Sequence, residues 1–394
     1  MLIHTQSDIG FYKRNAYNGG RSKGRRPPFF NEIQMKLSEF SERLGTFYNG
    51  DDRDNKDISS LEGLLDGVSS FFLNQYNEID DSEFVSVKYM SHLKLKERKN
   101  KLNIELKNLF SDINKLITKA CKPGNFNGIK EFYEFFFNNK GELMNKHYIT
   151  TIPIGKHFYR MRGSQNYEVY NRMGLFVIPD NIIHLVGKQR FNKDGIPCLY
   201  LGESLYCAWE EVRRKDFNQV NFACFKNTRN LTVLDLTIKP IIRRKEDFIL
   251  AYFALLVSGK VVDSNAYKFQ YEVSNLVMEV IQANIAKNGK VDGIKYLSSR
   301  RYDGTELHLA DVNRMYGYVF PPKEGDKVEF EKKNLDKWLY QSFKLTEPRT
   351  MFMYDIHCID FNRTRTAITR LYQDTLFYKL EELLKKEKFD YCNK

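Results

Sequence analysis

The stretch GKQRFNKDGIPCLYLGESLYCAWEEVRRK, residues 187–215, contains a turn, a strand and a helix in immediate succession. Its first residues combine glycine, asparagine and charged side chains, a composition typical of turns. PCLYLGE (197–203) is apolar and aromatic and predicts a strand. Ser204 then stands as an N-cap before apolar residues at helical spacing, namely Leu205, Ala208, Trp209 and Val212. The sequence therefore predicts a strand that passes directly into an amphipathic helix.

The region around this stretch, about 151 to 320, consists of short β-rich runs separated by glycine and asparagine turns. The other predicted strands are HFYRMR (157–162), LFVIP (175–179), VNFACFK (220–226) and LTVLDL (231–236). Helices are predicted over about 266–287 and 366–388. The predicted fold class is α+β.

The amino-terminal part has a different pattern of apolar residues. Residues 30–150 are predicted to be helical, most clearly in KLNIELKNLFSDINKLITKA (101–120), where apolar residues recur at steps of three and four. We predict four regions, which are a basic flexible arm (1–29), a helical N-terminal region (30–150), a catalytic domain (151–325) and a C-terminal helical extension (326–394).

Composition narrows the function classes. The six cysteines and seven histidines show no CxxC or HExxH spacing, so metal catalysis has no support. No apolar run approaches the roughly 20 residues of a membrane-spanning helix, and we expect a cytoplasmic protein without a membrane partner. The net charge of +12 favours anionic partners, among which charge alone cannot choose.

Five short pieces follow one another in a recognisable order. They are the Tyr159-Arg160 strand, the GKQRFN turn at 187–192, the Leu-Tyr-Leu strand at 199–201, Ala-x-x-Glu at 208–211 and DGIKYLSSRR at 292–301. Together they resemble the RES family, which is named for its Arg, Glu and Ser and is similar in fold to ADP-ribosyltransferase toxins. Phe191 stands where the family pattern has tryptophan, and Leu297 where it has proline.

The resemblance implies a mixed β core flanked by helices and an enzyme that degrades NAD+ by cleaving its nicotinamide–ribosyl bond, as a glycohydrolase or phosphorylase. NAD+ would be the substrate, and no cofactor is implied. The implied catalytic residues are Arg160, Glu211 and Ser298. The implied substrate-binding residues are Arg190, Tyr200 and Asn192.

Elementary chemistry is compatible with these roles. The planar guanidinium groups of Arg160 and Arg190 suit the pyrophosphate of NAD+. Cleavage of the nicotinamide–ribose bond develops positive charge on the sugar, which a carboxylate such as Glu211 stabilises. Ser298 could hold Arg160 or the substrate by hydrogen bonding, and Tyr200 could stack on nicotinamide or bond to ribose.

Neighbouring residues compete for two of these roles. Glu210 adjoins Glu211, and because the two lie about 100° apart on a helix, only one faces the pocket. The alignment on Ala208 favours Glu211. Ser299 and the Arg300-Arg301 pair likewise compete with Ser298.

Three functions are open at this stage. The first is the NAD+-degrading toxin-like enzyme, which would need an inhibitory antitoxin-like partner and suggests a toxin–antitoxin or anti-phage setting. The second is an ADP-ribosyltransferase acting on a protein or nucleic acid. The third is a catalytically inactive nucleic-acid-binding protein, for which the basic arm and charge are the support. A homodimer is the base-rate expectation for the assembly.

Overall fold

A computed structural model of the chain describes residues 35–36, 60–79, 92–138, 140–142, 148–164, 168–238, 241–242, 245–258, 270–286, 289–298, 315–323, 327–330, 333–350 and 372–393. The predicted basic arm, residues 1–29, lies outside the described residues, as do Ser299 and the Arg300-Arg301 pair.

Within the described residues, eight strands form one mixed sheet. They are β1 (Ile149–Ile152), β2 (His157–Gly163), β3 (Leu199–Gly202), β4 (Val220–Asn227), β5 (Leu231–Leu236), β6 (Gly293–Leu297), β7 (Tyr316–Phe320) and β8 (Phe343–Leu345). The order across the sheet is β8-β4-β2-β3-β7-β6-β5-β1. The β5–β6 pair is parallel, and the other neighbours are antiparallel. The predicted α+β class is confirmed.

The strands predicted over 157–162, 197–203, 220–226 and 231–236 correspond to β2, β3, β4 and β5. The strand predicted over 175–179 is wrong. Residues Arg172–Leu175 form a short helical turn instead, and Phe176 stacks on Phe225 with 6.2 Å between ring centroids. This run is apolar because it packs against a face of the sheet, and Pro179 lacks the N–H that a ladder position needs.

Several helices pack against the sheet. The longer helices are α1 (Leu61–Asn77), α2 (His92–Cys121), α3 (Phe126–Phe136), α4 (Leu205–Glu211), α5 (Lys245–Ser258), α6 (Gln270–Ala286) and α7 (Leu376–Leu384). The helical prediction for 101–120 is confirmed within α2. The helix predicted over 204–215 is shorter, because Arg213 and Arg214 adopt left-handed φ values of 60° and 49°. None of the described helices combines the length and apolar character that a membrane crossing requires.

One buried cluster joins the amino-terminal helices to the sheet. α5 was not predicted, because every residue from Phe248 to Ser258 is buried and the sequence shows no polar face. Against it, Phe110 of α2 stacks on Tyr252 of α5 at 4.1 Å between centroids. The Tyr252 hydroxyl also bonds to Ser69 (2.7 Å) and to Asn114 Oδ1 (2.6 Å). Helices α1, α2 and α5 thus share one core with a satisfied polar centre.

The segment after residue 326 differs from the predicted helical extension. Lys327–Phe330 and Lys333–Asp336 form an antiparallel hairpin, a short helix covers Lys337–Ser342, and β8 pairs with β4 at the edge of the main sheet. Of the helix predicted over 366–388, residues 366–371 lie outside the described residues, and the part that is helical is the shorter α7, whose Leu376, Leu380 and Leu384 are buried. Two residue pairs elsewhere, Met35–Lys36 and Ile241–Ile242, form a separate two-stranded ladder.

Candidate functional site

The order of the strands brings distant parts of the sequence together. β2 carries Arg160, the adjacent β3 carries Tyr200, and Ser298 directly follows β6, one strand beyond β7. Tyr200 and Ile294 both lie opposite Val319 in the ladders. Ser298 continues the β6–β7 ladder by donating its N–H to Met315 O at 3.0 Å. The middle of the sheet therefore positions side chains that are more than 130 positions apart.

Glu211 and Ser298 are in direct contact. Ser298 Oγ donates a hydrogen bond to Glu211 Oε1 at 2.7 Å, across 87 positions of sequence. Ser298 is buried, whereas Glu211, at the end of α4, is exposed. The buried hydroxyl thus holds one carboxylate oxygen while the side chain stays open to solvent.

Glu210, the competing carboxylate, has a different environment. It is 1% exposed, and both of its oxygens accept from Arg214 Nε at 2.9 Å. Arg214 also lies over the ring of Trp209, and its left-handed backbone ends the helix. Glu210 therefore closes the end of α4, and Glu211 is the carboxylate that reaches Ser298.

A turn braced by Tyr200 carries Arg190. Tyr200 Oη accepts from Phe191 N at 3.1 Å and donates to Asn192 Oδ1 at 2.7 Å. Asn192 is buried, and its Nδ2 donates to the carbonyls of Gly187 and Lys193. In this structure the polar groups of Tyr200 and Asn192, both predicted to bind substrate, hold the turn in shape.

Arg190 itself lies between this turn and two helices. Its Nη1 donates to Val257 O at 2.6 Å, near the end of α5, and its guanidinium lies 5.5 Å from the ring centre of Tyr271 in α6. The cation is thus anchored at one edge, and its plane is set by an aromatic face.

Two tyrosines, the partly buried Tyr200 and the buried Tyr296, lie in the electrostatic field of Arg190 and Glu211. Burial raises the pKa of Tyr200 well above its usual value, with Arg190 lowering it and Glu211 raising it further. Burial likewise raises the pKa of Tyr296, where Glu211 raises it again and Arg190 opposes. Arg190 and Glu211 therefore act on the same two side chains, which remain neutral hydrogen-bond donors at neutral pH.

Tyr296 was not singled out from the sequence, although it lies in the DGIKYLSSRR piece. Its ring contacts Phe191, with 4.7 Å between centroids, and lies against Gly317, its partner in the ladder. A Cβ at residue 317 would stand 2.3 Å from Tyr296 Cζ, so only glycine fits beneath the ring. The signal that could have identified Tyr296 is its place two residues before Ser298.

Arg160 is a cation without a counter-ion among the described residues. Its side chain is partly exposed, but Nη1 is enclosed and has no hydrogen-bond partner. Burial lowers the pKa of Arg160 to about 10, Arg162 lowers it further and Tyr200 opposes. The group stays charged at neutral pH. Within the described part of the chain, no hydrogen bond or ion pair joins Arg160 to Glu211 or Ser298.

Two more buried polar atoms near Arg190 have no partner, and no sequence pattern pointed to them. Ser258 follows the carbonyl that Arg190 binds, and its Oγ is unsatisfied. Asn275 of α6 reaches the Arg190 turn, with its Nδ2 3.5 Å from Gln189 O, and its Oδ1 is unsatisfied. Unpaired buried polar atoms are costly, which makes these two candidates for contact with a ligand.

Comparison with known proteins gives a family for part of the chain. The RES domain model matches residues 158–320, which confirms the resemblance. A curated relative from Bacillus subtilis (strain 168), named "Putative toxin YopC", is 30% identical over 172 residues, or 39% of this chain. The match spans 38% of the length of that relative.

A solved structure with similarity is that of the M. tuberculosis MbcT-MbcA toxin-antitoxin complex. It is 16% identical, covers 48% of this chain and 90% of that chain, and has a TM-score of 0.25.

Proposed function

We propose that this chain, whose residues 158–320 match the RES domain, is an NAD+-degrading toxin that cleaves the nicotinamide–ribosyl bond. The observation that carries the proposal is the exposed Glu211 carboxylate, fixed at 2.7 Å by the buried Ser298 hydroxyl. The acceptor of the ADP-ribosyl group would be water or phosphate, in a compartment that contains NAD+, for which we propose the cytoplasm.

The proposed role of Glu211 follows from the charge that develops in the reaction. Departure of neutral nicotinamide leaves an oxocarbenium-like ribose, and a fixed carboxylate stabilises that cation more than it stabilises the ground state. Ser298 occupies one carboxylate oxygen. The other oxygen can accept from a ribose hydroxyl or orient the attacking water or phosphate.

The proposed role of the arginines is to hold the pyrophosphate. An enclosed guanidinium nitrogen without a partner, as in Arg160, is stabilised when an anion enters. Arg190, fixed between Val257 O and Tyr271, offers a second cation. The Ser258 hydroxyl would then accept from or donate to the hydroxyls of the ribose on the Arg190 side, and Asn275 Oδ1 would accept from them.

An inhibitory protein partner is part of the proposal, on chemical grounds. An enzyme that destroys a central cofactor harms the cell that makes it unless it is restrained. The relative that this chain matches over part of its length is named "Putative toxin YopC". An antitoxin-like protein that covers Glu211 or occupies the arginine side would provide the restraint.

The test is to incubate the purified protein, free of co-purifying proteins, with NAD+ in the presence and absence of phosphate and to measure released nicotinamide. Wild type is expected to release nicotinamide, and Glu211→Gln and Arg160→Ala are expected to lose about 100-fold or more of the rate. Intact NAD+ under all conditions would refute the proposal.

The companion variant is Glu210→Gln, which removes the adjacent carboxylate that binds Arg214. It is expected to lower stability but to retain the turnover of the folded fraction. Loss of turnover in Glu210→Gln with retention in Glu211→Gln would reverse the assignment. A further incubation uses labelled NAD+. If the label appears on a macromolecule, the reaction is ADP-ribosyl transfer and not hydrolysis or phosphorolysis.

A further inference from the structure

The helix that carries Glu211 begins against the C-terminal segment of the chain. α4 has seven residues, too few to be stable without tertiary contacts. Its N-cap Ser204 is fully buried and accepts from Cys207 N at 3.0 Å. At the next residue, the first of the helix, Leu205 N donates to Oε1 of Glu381, a buried residue of α7, at 2.7 Å.

Tyr372 completes this junction. Its hydroxyl donates to Glu381 Oε1 at 2.5 Å. Burial raises the pKa of Tyr372 well above its usual value and Glu381 raises it further, while hydrogen bonds with the Ser204 side chain and the Tyr206 backbone oppose. The first backbone N–H groups of α4 therefore all have partners, at Glu381, Tyr372 and Ser204, where a helix end would otherwise leave them unsatisfied.

The same segment packs against the side of α4. Phe377 of α7 lies 5.1 Å from the ring of Tyr206 and 5.4 Å from the rings of Trp209 and Phe217, measured between centroids. Residues 372–384 lie outside the matched range of 158–320. The matched domain therefore receives both the polar anchor and part of the apolar contact of α4 from the C-terminal segment.

We propose that Glu381 is a positioning residue for the reaction, and that the C-terminal segment is an integral part of the catalytic unit. The inference rests on the proposed function. Glu381 fixes where α4 begins, and the length of α4 then fixes where Glu211 meets Ser298. A carboxylate at a helix N-terminus also stabilises the helix through its dipole. A shift of about 1 Å in such a constellation lowers turnover by up to about 100-fold.

The experiment compares three full-length variants in NAD+ cleavage and in amide hydrogen exchange of α4. Glu381→Met removes the oxygen that accepts from Leu205 and Tyr372. Glu381→Gln keeps that oxygen and is the conservative rescue. Glu382→Met is the matched control, because the Glu382 carboxylate accepts its hydrogen bond from Lys385, whereas Glu381 accepts from Leu205 and Tyr372.

Glu381→Met is expected to lower kcat of the folded protein about tenfold or more, while KM stays within about twofold of the wild-type value. Hydrogen exchange of the Leu205 and Tyr206 amides is expected to become about tenfold faster. Glu381→Gln is expected to restore most of both, and Glu382→Met to match wild type. In a Glu211→Gln background, Glu381→Met is expected to add little, since both act through one carboxylate.

Unchanged exchange in Glu381→Met would overturn the inference whatever the wild type does to NAD+. So would an equal fractional loss of kcat in both backgrounds, which indicates a general loss of fold. A wild type that leaves NAD+ intact while Glu381→Met speeds exchange refutes the proposed function but supports the anchoring of α4 by Glu381.

Discussion

Replacing Arg160 by methionine is expected to stabilise the protein and abolish its activity. The side chain is a cation whose Nη1 is enclosed without a partner. Its pKa is lowered from the ordinary arginine value to about 10, first through burial and then through Arg162. At about 1.4 kcal/mol per pKa unit, this lowering corresponds to about 3 kcal/mol of unfavourable free energy for the folded cation.

Because part of the side chain reaches solvent, screening reduces this cost, and we expect Arg160→Met to raise the free energy of unfolding by about 1–3 kcal/mol. The sign follows from the lowered pKa. Below pH 10 the arginine is protonated in both the folded and the unfolded state and the full penalty applies, whereas the penalty declines as pH rises above the folded pKa toward the pKa of the unfolded chain. The gain should therefore be equal at pH 6 and pH 8.

The assay is urea unfolding at both pH values, together with thermal unfolding in the presence of ADP-ribose. ADP-ribose should raise the Tm of wild type more than that of Arg160→Met, because the variant leaves the pyrophosphate only one of its two proposed cations, Arg190. The control is Arg162→Met, whose guanidinium donates to Gly174 O at 2.7 Å and which should lose about 1 kcal/mol. Destabilisation of Arg160→Met by more than about 1 kcal/mol would refute the reasoning.

Three further substitutions test separate parts of the molecule. Ser298→Ala removes the hydrogen bond that holds the Glu211 carboxylate. It should lower kcat about tenfold and reduce the free energy of unfolding by about 1 kcal/mol. An unchanged kcat would mean that Ser298 has no role in catalysis. Tyr200→Phe removes the hydroxyl that braces the Arg190 turn. In steady-state kinetics it should raise KM for NAD+ more than it lowers kcat. Because burial raises the Tyr200 pKa, the pH profile of wild-type activity should show no inflection from this group between pH 6 and 9. Asn114→Leu breaks the polar centre with Tyr252 and should cost about 1–3 kcal/mol of unfolding free energy, while the specific activity of the folded fraction is retained; a selective loss of activity would contradict a purely structural role.

Local sequence patterns correctly predicted those helices and strands that bury one face and expose the other. α2 and α4 have apolar residues at helical spacing, and β2 to β5 have β-rich runs bounded by turns. α5 has no polar face, because it is buried on all sides, so its periodicity is invisible. LFVIP (175–179) is as apolar as a strand, but it packs on the sheet and has no ladder partner.

The candidate site was named from the order of its motifs, and its residue types followed from that order. The roles within it depend on contacts. Tyr200 and Asn192 have the types expected of ligand-binding residues, yet their polar groups bond to the Arg190 turn. Glu381, Ser258 and Asn275 carry no motif, because their roles come from the elements that pack around them.

The sequence alone determined the α+β class, the matched region and the set of Arg, Glu and Ser residues, since these depend on local composition and on order along the chain. Only the tertiary structure decided that Glu211 rather than Glu210 reaches Ser298, that Arg160 has an enclosed nitrogen without a partner, and that the C-terminal segment anchors the helix of Glu211. The physical reason is that strand order and side-chain direction are set by pairing and packing between segments far apart in sequence. Local sequence patterns do not specify which of these segments come into contact.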